Sequence, residues 1–192
     1  MRTNLKNIAF FAIGIACVTL SCGKSYQAKK YNKQGWEHYK KFAFNLAIDD
    51  FTRAIELNPK YAQAYYRRGY AYSKKSDFEH AVADLIKARD LDPKSAKEIN
   101  IDIAQTYYKS GEEYNKAGDY DKAIADFIKA LEFKPGDPGL MAFIGKTYEL
   151  KNDTTKAKFW YDSALTNKDV LPDKGAWIIK HLNRLSIKEK SK

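Results

Sequence analysis

Cysteine is nearly absent from this 192-residue chain, with only Cys17 and Cys22, both inside the first 22 residues. A small scaffold stapled by disulfides is therefore excluded. Five prolines and ten glycines are too few for a collagen-like or low-complexity chain. The longest apolar run, Ile8 to Leu20, has thirteen residues, short of the roughly 20 that a membrane-crossing helix needs at 1.5 Å each. Histidine is sparse and scattered, at His38, His80 and His181, with no HExxH pair, no phosphate loop and no Ser or Cys nucleophile motif. No catalytic residue, metal site or cofactor is expected. Arginine is scarce too: six stand against 28 lysines in a net charge of +10. That balance suits a solvated surface or diffuse attraction to anions better than bidentate reading of bases. What remains, 44% hydrophobic and 30% charged, is the composition of one or two ordinary globular domains.

The N-terminus reads as an address. Arg2 and Lys6 precede the apolar run, and no acid occurs before Cys22, the charged and apolar order of an export signal. Leu20-Ser21-Cys22 resembles the end of a bacterial lipobox, with Thr19 where that pattern usually has Leu. The resemblance implies a signal peptide over 1–21, cleavage before Cys22, lipidation of Cys22 and a short linker over 22–27. Plain secretion and an uncleaved anchor are the alternatives. Cleavage would remove Cys17 and leave 171 residues at +8 without a thiol able to pair. The implied location is a bacterial envelope, lipid-anchored, at the outer membrane facing the periplasm. Lys24, Lys29, Lys30, Lys33, Lys40 and Lys41 would then lie near the bilayer, as a solvated face or as a contact to anionic headgroups.

The rest of the chain repeats. Gly35 and Gly69, Gly111 and Gly145, and Pro59 and Pro93 are each 34 residues apart. Ala47, Ala81, Ala123 and Ala157 keep the same phase, as do Phe51, Leu85, Phe127 and Tyr161, then Ala54, Ala88, Ala130 and Ala164. Tyr65-x-x-Arg68-Gly69-x-x-Tyr72, Tyr107-x-x-Ser110-Gly111-x-x-Tyr114 and Met141-x-x-Ile144-Gly145-x-x-Tyr148 follow the opening of the tetratricopeptide repeat, which this chain resembles. Tyr31-x-x-Gln34-Gly35-x-x-His38 is the first copy.

The resemblance implies an all-α, right-handed α-solenoid of about four antiparallel helix pairs, at 28–61, 62–95, 104–137 and 138–171. Gly at the eighth position and Ala at the twentieth should let the paired helices approach, and the aromatic at the twenty-fourth should fill the seam to the next repeat. Asp77 and Asp119 can cap second helices, and Pro59, Pro93 and Pro135 end them. Gln34, Arg68 and Ser110 replace the usual Leu beside the Gly, which predicts looser packing there, and Asp169 replaces the last Pro. The insertion 96–103, preceded by Ser95-x-x-Glu98 in capping-box spacing, should lengthen one helix by about 12 Å. Its Ile99 and Ile103 either cover a repeat edge or form a docking ridge. Over 172–192, Ile178, Leu182 and Leu185 have the spacing of a capping helix with a basic tail, in which Trp177 is expected in the core.

Repeats of this family bind extended or helical peptides along the first helix of each pair. Mapped residue by residue, the resemblance implies a groove of Lys29, Asn32 and Trp36, then Gln63, Tyr66 and Tyr70, then Gln105, Tyr108 and Glu112. The family's carboxylate clamp is not matched: Asn32 and Trp36, Arg67, and Gln105 and Lys109 occupy its slots, so no receptor for chaperone tails is expected. His38 occupies a Tyr slot, as a packing residue. The expected function is a non-catalytic, membrane-anchored interaction module for a protein or peptide. A solute-binding or enzyme-accessory pocket on the same face, or a basic nucleic-acid binder, are the alternatives. The export signal and the few arginines argue against nucleic acid.

Overall fold

The computed structural model describes residues 23–166 and 172–190. The expected signal segment, its cleavage site and Cys22 lie outside the described residues, as does Asp169 with the end of the fourth repeat. The chain is all-α. A helix over 23–40 (α1) is followed by α2 (Phe44–Leu57), α3 (Ala62–Lys74) and α4 (Phe78–Leu91). Past a 3₁₀ turn at Pro93–Ser95 come α5 (Ala96–Ala117), α6 (Tyr120–Phe133), α7 (Pro138–Leu150), α8 (Thr154–Leu165) and α9 (Pro172–Lys190). The helices form two compact units that divide between Pro93 and Lys94. In the first, α2 and α3 pack together, as do α3 and α4. In the second, each helix from α5 to α9 packs on the next. Within each unit this is the pairwise stacking of an α-solenoid.

The repeat columns form the core. The four twentieth-position alanines are all fully buried, and Phe51, Leu85, Phe127 and Tyr161 are at most 1% exposed. The eighth-position glycine works differently from expectation. A Cβ on Gly35, Gly111 or Gly145 would meet the ring of Phe51, Phe127 or Tyr161 at 2.6–2.8 Å, so in three copies the glycine seats its own repeat's aromatic. Only Gly69, whose facing residue is Leu85, has a backbone atom as nearest neighbour, the Ala81 carbonyl oxygen at 3.0 Å. Gly111→Ala should therefore lower stability by about 1–3 kcal/mol despite a gain of roughly 1 kcal/mol in helix propensity. A shift in the urea midpoint with unchanged m-value would report it.

Each pair closes through one turn geometry. Phe42, Ser76, Gly118 and Asn152 stand at the same repeat position and all adopt positive φ, between 60° and 79°. The next amide donates back to the carbonyl of His38, Tyr72, Tyr114 or Tyr148, closing the first helix as a Schellman turn. Asp77, Asp119 and Asp153 then cap the second helix, accepting from the amides of His80, Lys122 and Lys156. The first copy departs twice. Ala43 offers no side-chain cap, and a bulky Phe42 holds the left-handed conformation, costs of about 1 kcal/mol each.

Where the family's Leu is missing, looser packing was expected and polar pairs are found. Ser110 Oγ donates to Asp126 at 2.6 Å, and Arg68 makes a bidentate pair with Asp84. In the first copy the donor comes from His38, whose Nδ1 lies 2.7 Å from Asp50. The acceptors share one repeat position, and Asp50 and Asp84 are buried.

The insertion is continuous with α5, which has 22 residues against 13 in α3 and in α7. Ser95 forms no capping box, because the 3₁₀ turn leaves it at φ −93°, ψ 11° without a side-chain bond to the helix amides. Ile99 and Ile103 are buried, which removes the docking ridge. The expected linker is also helical: 23–27 belongs to α1. Helix α9 caps the second unit as expected, with Ile178 and Leu185 buried against Ala142, Ala157, Tyr161 and Ala164, and Leu182 packed beside them. Trp177 is the exception. It is 38% exposed, because it lies at the edge of that contact rather than under it.

Candidate functional site

In the first unit, the expected groove residues of α1 and α3 converge. Asn32 is the one that does not present itself. It is 3% exposed, and its Nδ2 donates to Tyr61 Oη at 3.0 Å and Gln63 Oε1 at 3.1 Å, so it joins the helices rather than lining an open face. Its Oδ1 is buried without a hydrogen-bond partner among the described residues. Trp36 stacks on Tyr39 with ring centres 5.1 Å apart, and the Arg67 guanidinium lies 4.9 Å above it. Arg67 also donates to the Asn32 carbonyl at 3.3 Å. Burial pulls the Arg67 guanidinium below its ordinary value, so its charge is incompletely solvated and favours an anion within reach. Tyr66 and Tyr70 sit side by side, rings 4.9 Å apart, the Tyr66 hydroxyl donating to Tyr70 at 3.3 Å. Lys29 and Gln63 are exposed at the rim.

In the second unit, α5 and α7 carry the corresponding wall. Tyr108 donates to Glu112 at 2.6 Å. Burial, then that bond, push the Tyr108 phenol well above its usual range, so it remains a donor. Its ring packs edge-on against Phe143 at 4.9 Å. A cavity of about 170 Å³ lies there, lined by Gln105, Tyr108, Gly139 and Phe143 among others. A second, of about 500 Å³, is lined by Pro138, Gly139, Ala142, Phe143, Lys146, Trp177 and Ile178. Gly139, Ala142 and Lys146 are the fourth copy's counterparts of Gln105, Tyr108 and Glu112. The expected groove had stopped at the third repeat. The repeat phase alone identifies these three, whereas Trp177 depends on where α9 lands. Two small residues on α7 make the hollow, Phe143 and Trp177 wall it, and exposed Lys146 puts a cation at the edge.

Among the described residues, no group of three or more His, Cys, Asp or Glu side chains could hold a metal ion, and no helix is long and apolar enough to cross a membrane. His38, His80 and His181 are each engaged by a carboxylate, from Asp50, Asp77 and Glu149.

A tetratricopeptide repeat family model matches residues 62–95 and 104–137, the bounds of the second and third repeats, and a second TPR repeat model matches 37–76. No curated protein sequence matches the chain. Among solved structures, a MamA protein is 27% identical over 74% of this chain and 73% of its own, with a TM-score of 0.49. The Arabidopsis OM64 TPR domain is 25% identical over 66% of this chain and 98% of its own, with a TM-score of 0.43. The 34-residue columns, their burial and the family matches agree: the chain is a tetratricopeptide repeat protein, built as a module for protein–protein interaction.

Proposed function

We propose that the first-helix wall of each unit by itself can bind a protein segment, and that the chain holds its partner at an envelope membrane through a lipid on Cys22. The observation that carries the groove is the 500 Å³ hollow, apolar on floor and walls, with Lys146 at its edge. It has room for two large apolar side chains, of Leu or Phe size, beside a carboxylate at Lys146. Aromatic walls supply contact area at low rotamer cost. In the first unit, Trp36, Tyr66 and Tyr70 with the under-solvated Arg67 suit the same chemistry, an aromatic or apolar segment bearing acids. The anchor rests on the sequence of the first 22 residues.

Photo-crosslinkers at Tyr66 and Phe143, with an outward control at Lys87 on α4, test the groove in the native host. A discrete adduct from the first two alone supports it; equal capture from Lys87 refutes it. With a captured segment in hand, Phe143→Ala should weaken binding about tenfold or more by titration calorimetry, as expected of an aromatic at a buried contact.

A further inference from the structure

Helix α1 has a packed side and a free side. Ala28, Asn32 and Gly35 are buried, while Lys29, Lys30, Lys33, Lys40 and Lys41 are all exposed. At 3.6 residues per turn, Lys29, Lys33 and Lys40 fall in one sector about 40° wide, on the side away from Ala28 and Gly35. This basic stripe runs into a turn unlike its three counterparts. Ser76-Asp77-Phe78, Gly118-Asp119-Tyr120 and Asn152-Asp153-Thr154 are replaced by Phe42-Ala43-Phe44, with Leu46 two residues further on. Phe42 is 79% exposed and Leu46 52%. Lys75, from the next turn, borders the same hollow as Phe42 and Leu46.

Neither exposed side chain serves the core, and the turn gives up its cap and its favoured residue to carry them. Glu37 pairs with Lys40 at 2.7 Å, which leaves the stripe a net charge of +2 to which exposed Lys41, just past the helix end, adds one, and Asp77 pairs with His80 at 2.8 Å. Residues 38–48 contain no acid. The apolar tip is two side chains wide, too small for the roughly 1,000 Å² of a specific protein interface, but a bilayer accepts a small wedge beside bound cations.

We propose that this edge of the first unit docks on an anionic lipid bilayer. Phe42 and Leu46 enter the boundary between headgroups and acyl chains, while the α1 stripe and Lys75 contact phosphate headgroups, so that α1 lies along the surface. A lipid on Cys22 would hold the other end of the same helix at the same surface. Lys29 and Trp36 border the stripe at the rim of the first-unit groove, but the groove probes sit on α3 and α7, so crosslinks from Tyr66 and Phe143 do not depend on this contact.

An environment-sensitive fluorophore incorporated at position 42, 46 or 87 of the full chain tests it, in phosphatidylcholine vesicles with and without phosphatidylglycerol. Positions 42 and 46 should shift to the blue only with phosphatidylglycerol, and a probe at outward position 87 on α4, used as the control, should not shift. Each of Lys33→Gln and Lys41→Gln should lower the vesicle partition constant about fivefold. Phe42→Asn/Leu46→Gln, with the probe at position 44, should abolish the shift without lowering the thermal midpoint, since Asn accepts the left-handed turn. A probe at position 42 that stays as wet as the one at 87 overturns the proposal. So does an equal shift without phosphatidylglycerol, or a concentration-dependent shift without vesicles, which would mean a second copy covers the tip.

Discussion

Asp84→Ala should lower the free energy of unfolding by about 3–5 kcal/mol, because it strands a buried guanidinium. Arg68 reaches Asp84 through Nε and Nη2 at 2.7 and 2.8 Å, and its Nη1 donates to Thr52 at 2.9 Å. The side chains are 18% and 9% exposed, and the guanidinium lies 5.7 and 5.9 Å from the rings of Tyr65 and Tyr72. Without the carboxylate, the Thr52 hydroxyl is the side-chain hydrogen-bond partner that remains to it among the described residues. The pair as a whole is another matter. Arg68→Leu/Asp84→Leu restores the Leu that the family sets beside Gly69, and should recover most of the loss, as apolar replacements of buried pairs often do. Urea unfolding of the parent, both single variants and the double closes the cycle. A cost under about 1 kcal/mol for Asp84→Ala would show a pair no stronger than one on the surface.

The same pair marks the limit of what the sequence discloses. The small and aromatic columns were legible because each position is filled for one reason, close packing, and that reason repeats every 34 residues. The polar pairs use one acceptor position, Asp50, Asp84 and Asp126, but three donor types from two positions, His38, Arg68 and Ser110. A consensus column hides them, although the aspartates keep the phase. The left-handed turn was hidden for a similar reason: Gly118 and Asn152 suit it, but Ser76 and Phe42 do not, and only the backbone shows that all four share it.

The candidate site was legible in part. Helix phase alone places Trp36, Tyr66, Tyr70 and Tyr108 on the expected walls. It could not show that Asn32 is spent on Tyr61 and Gln63, a contact across two helices whose register depends on packing. Nor could it show that Trp177 lines a hollow rather than a core. Whether an aromatic at the start of a capping helix is covered depends on the few ångströms between that helix and α7.

That placement of α9 combines the apolar contact of Ile178 and Leu185 with one buried carboxylate, and Glu149→Gln should loosen the helix at a cost of about 2–4 kcal/mol. Glu149, on α7, is 8% exposed at its side chain. It accepts from Tyr161 Oη of α8 at 3.0 Å, lies 2.8 Å from His181 Nδ1, and pairs with Arg184. His181 and Arg184 both belong to α9. Burial on its own would push the Glu149 carboxyl up, but the bonds from His181, Arg184 and Tyr161 outweigh it and hold the group below its ordinary value. A carboxyl depressed in the folded state stabilises fully above its unfolded value of roughly 4.3, and that stability is lost as pH falls through the folded value. Protection of the α9 amides from hydrogen exchange, corrected for the intrinsic rate, should thus be level from neutral pH down to about 5 and fall below about 4. In Glu149→Gln it should be low throughout and lose the part of the acid dependence that Glu149 carries. Since Trp177 and Ile178 form one side of the 500 Å³ hollow, the same variant should lose binding there while Tyr66 still crosslinks. An α9 equally protected in both proteins would mean that Ile178 and Leu185 hold the helix unaided, and that the carboxylate only sets its orientation.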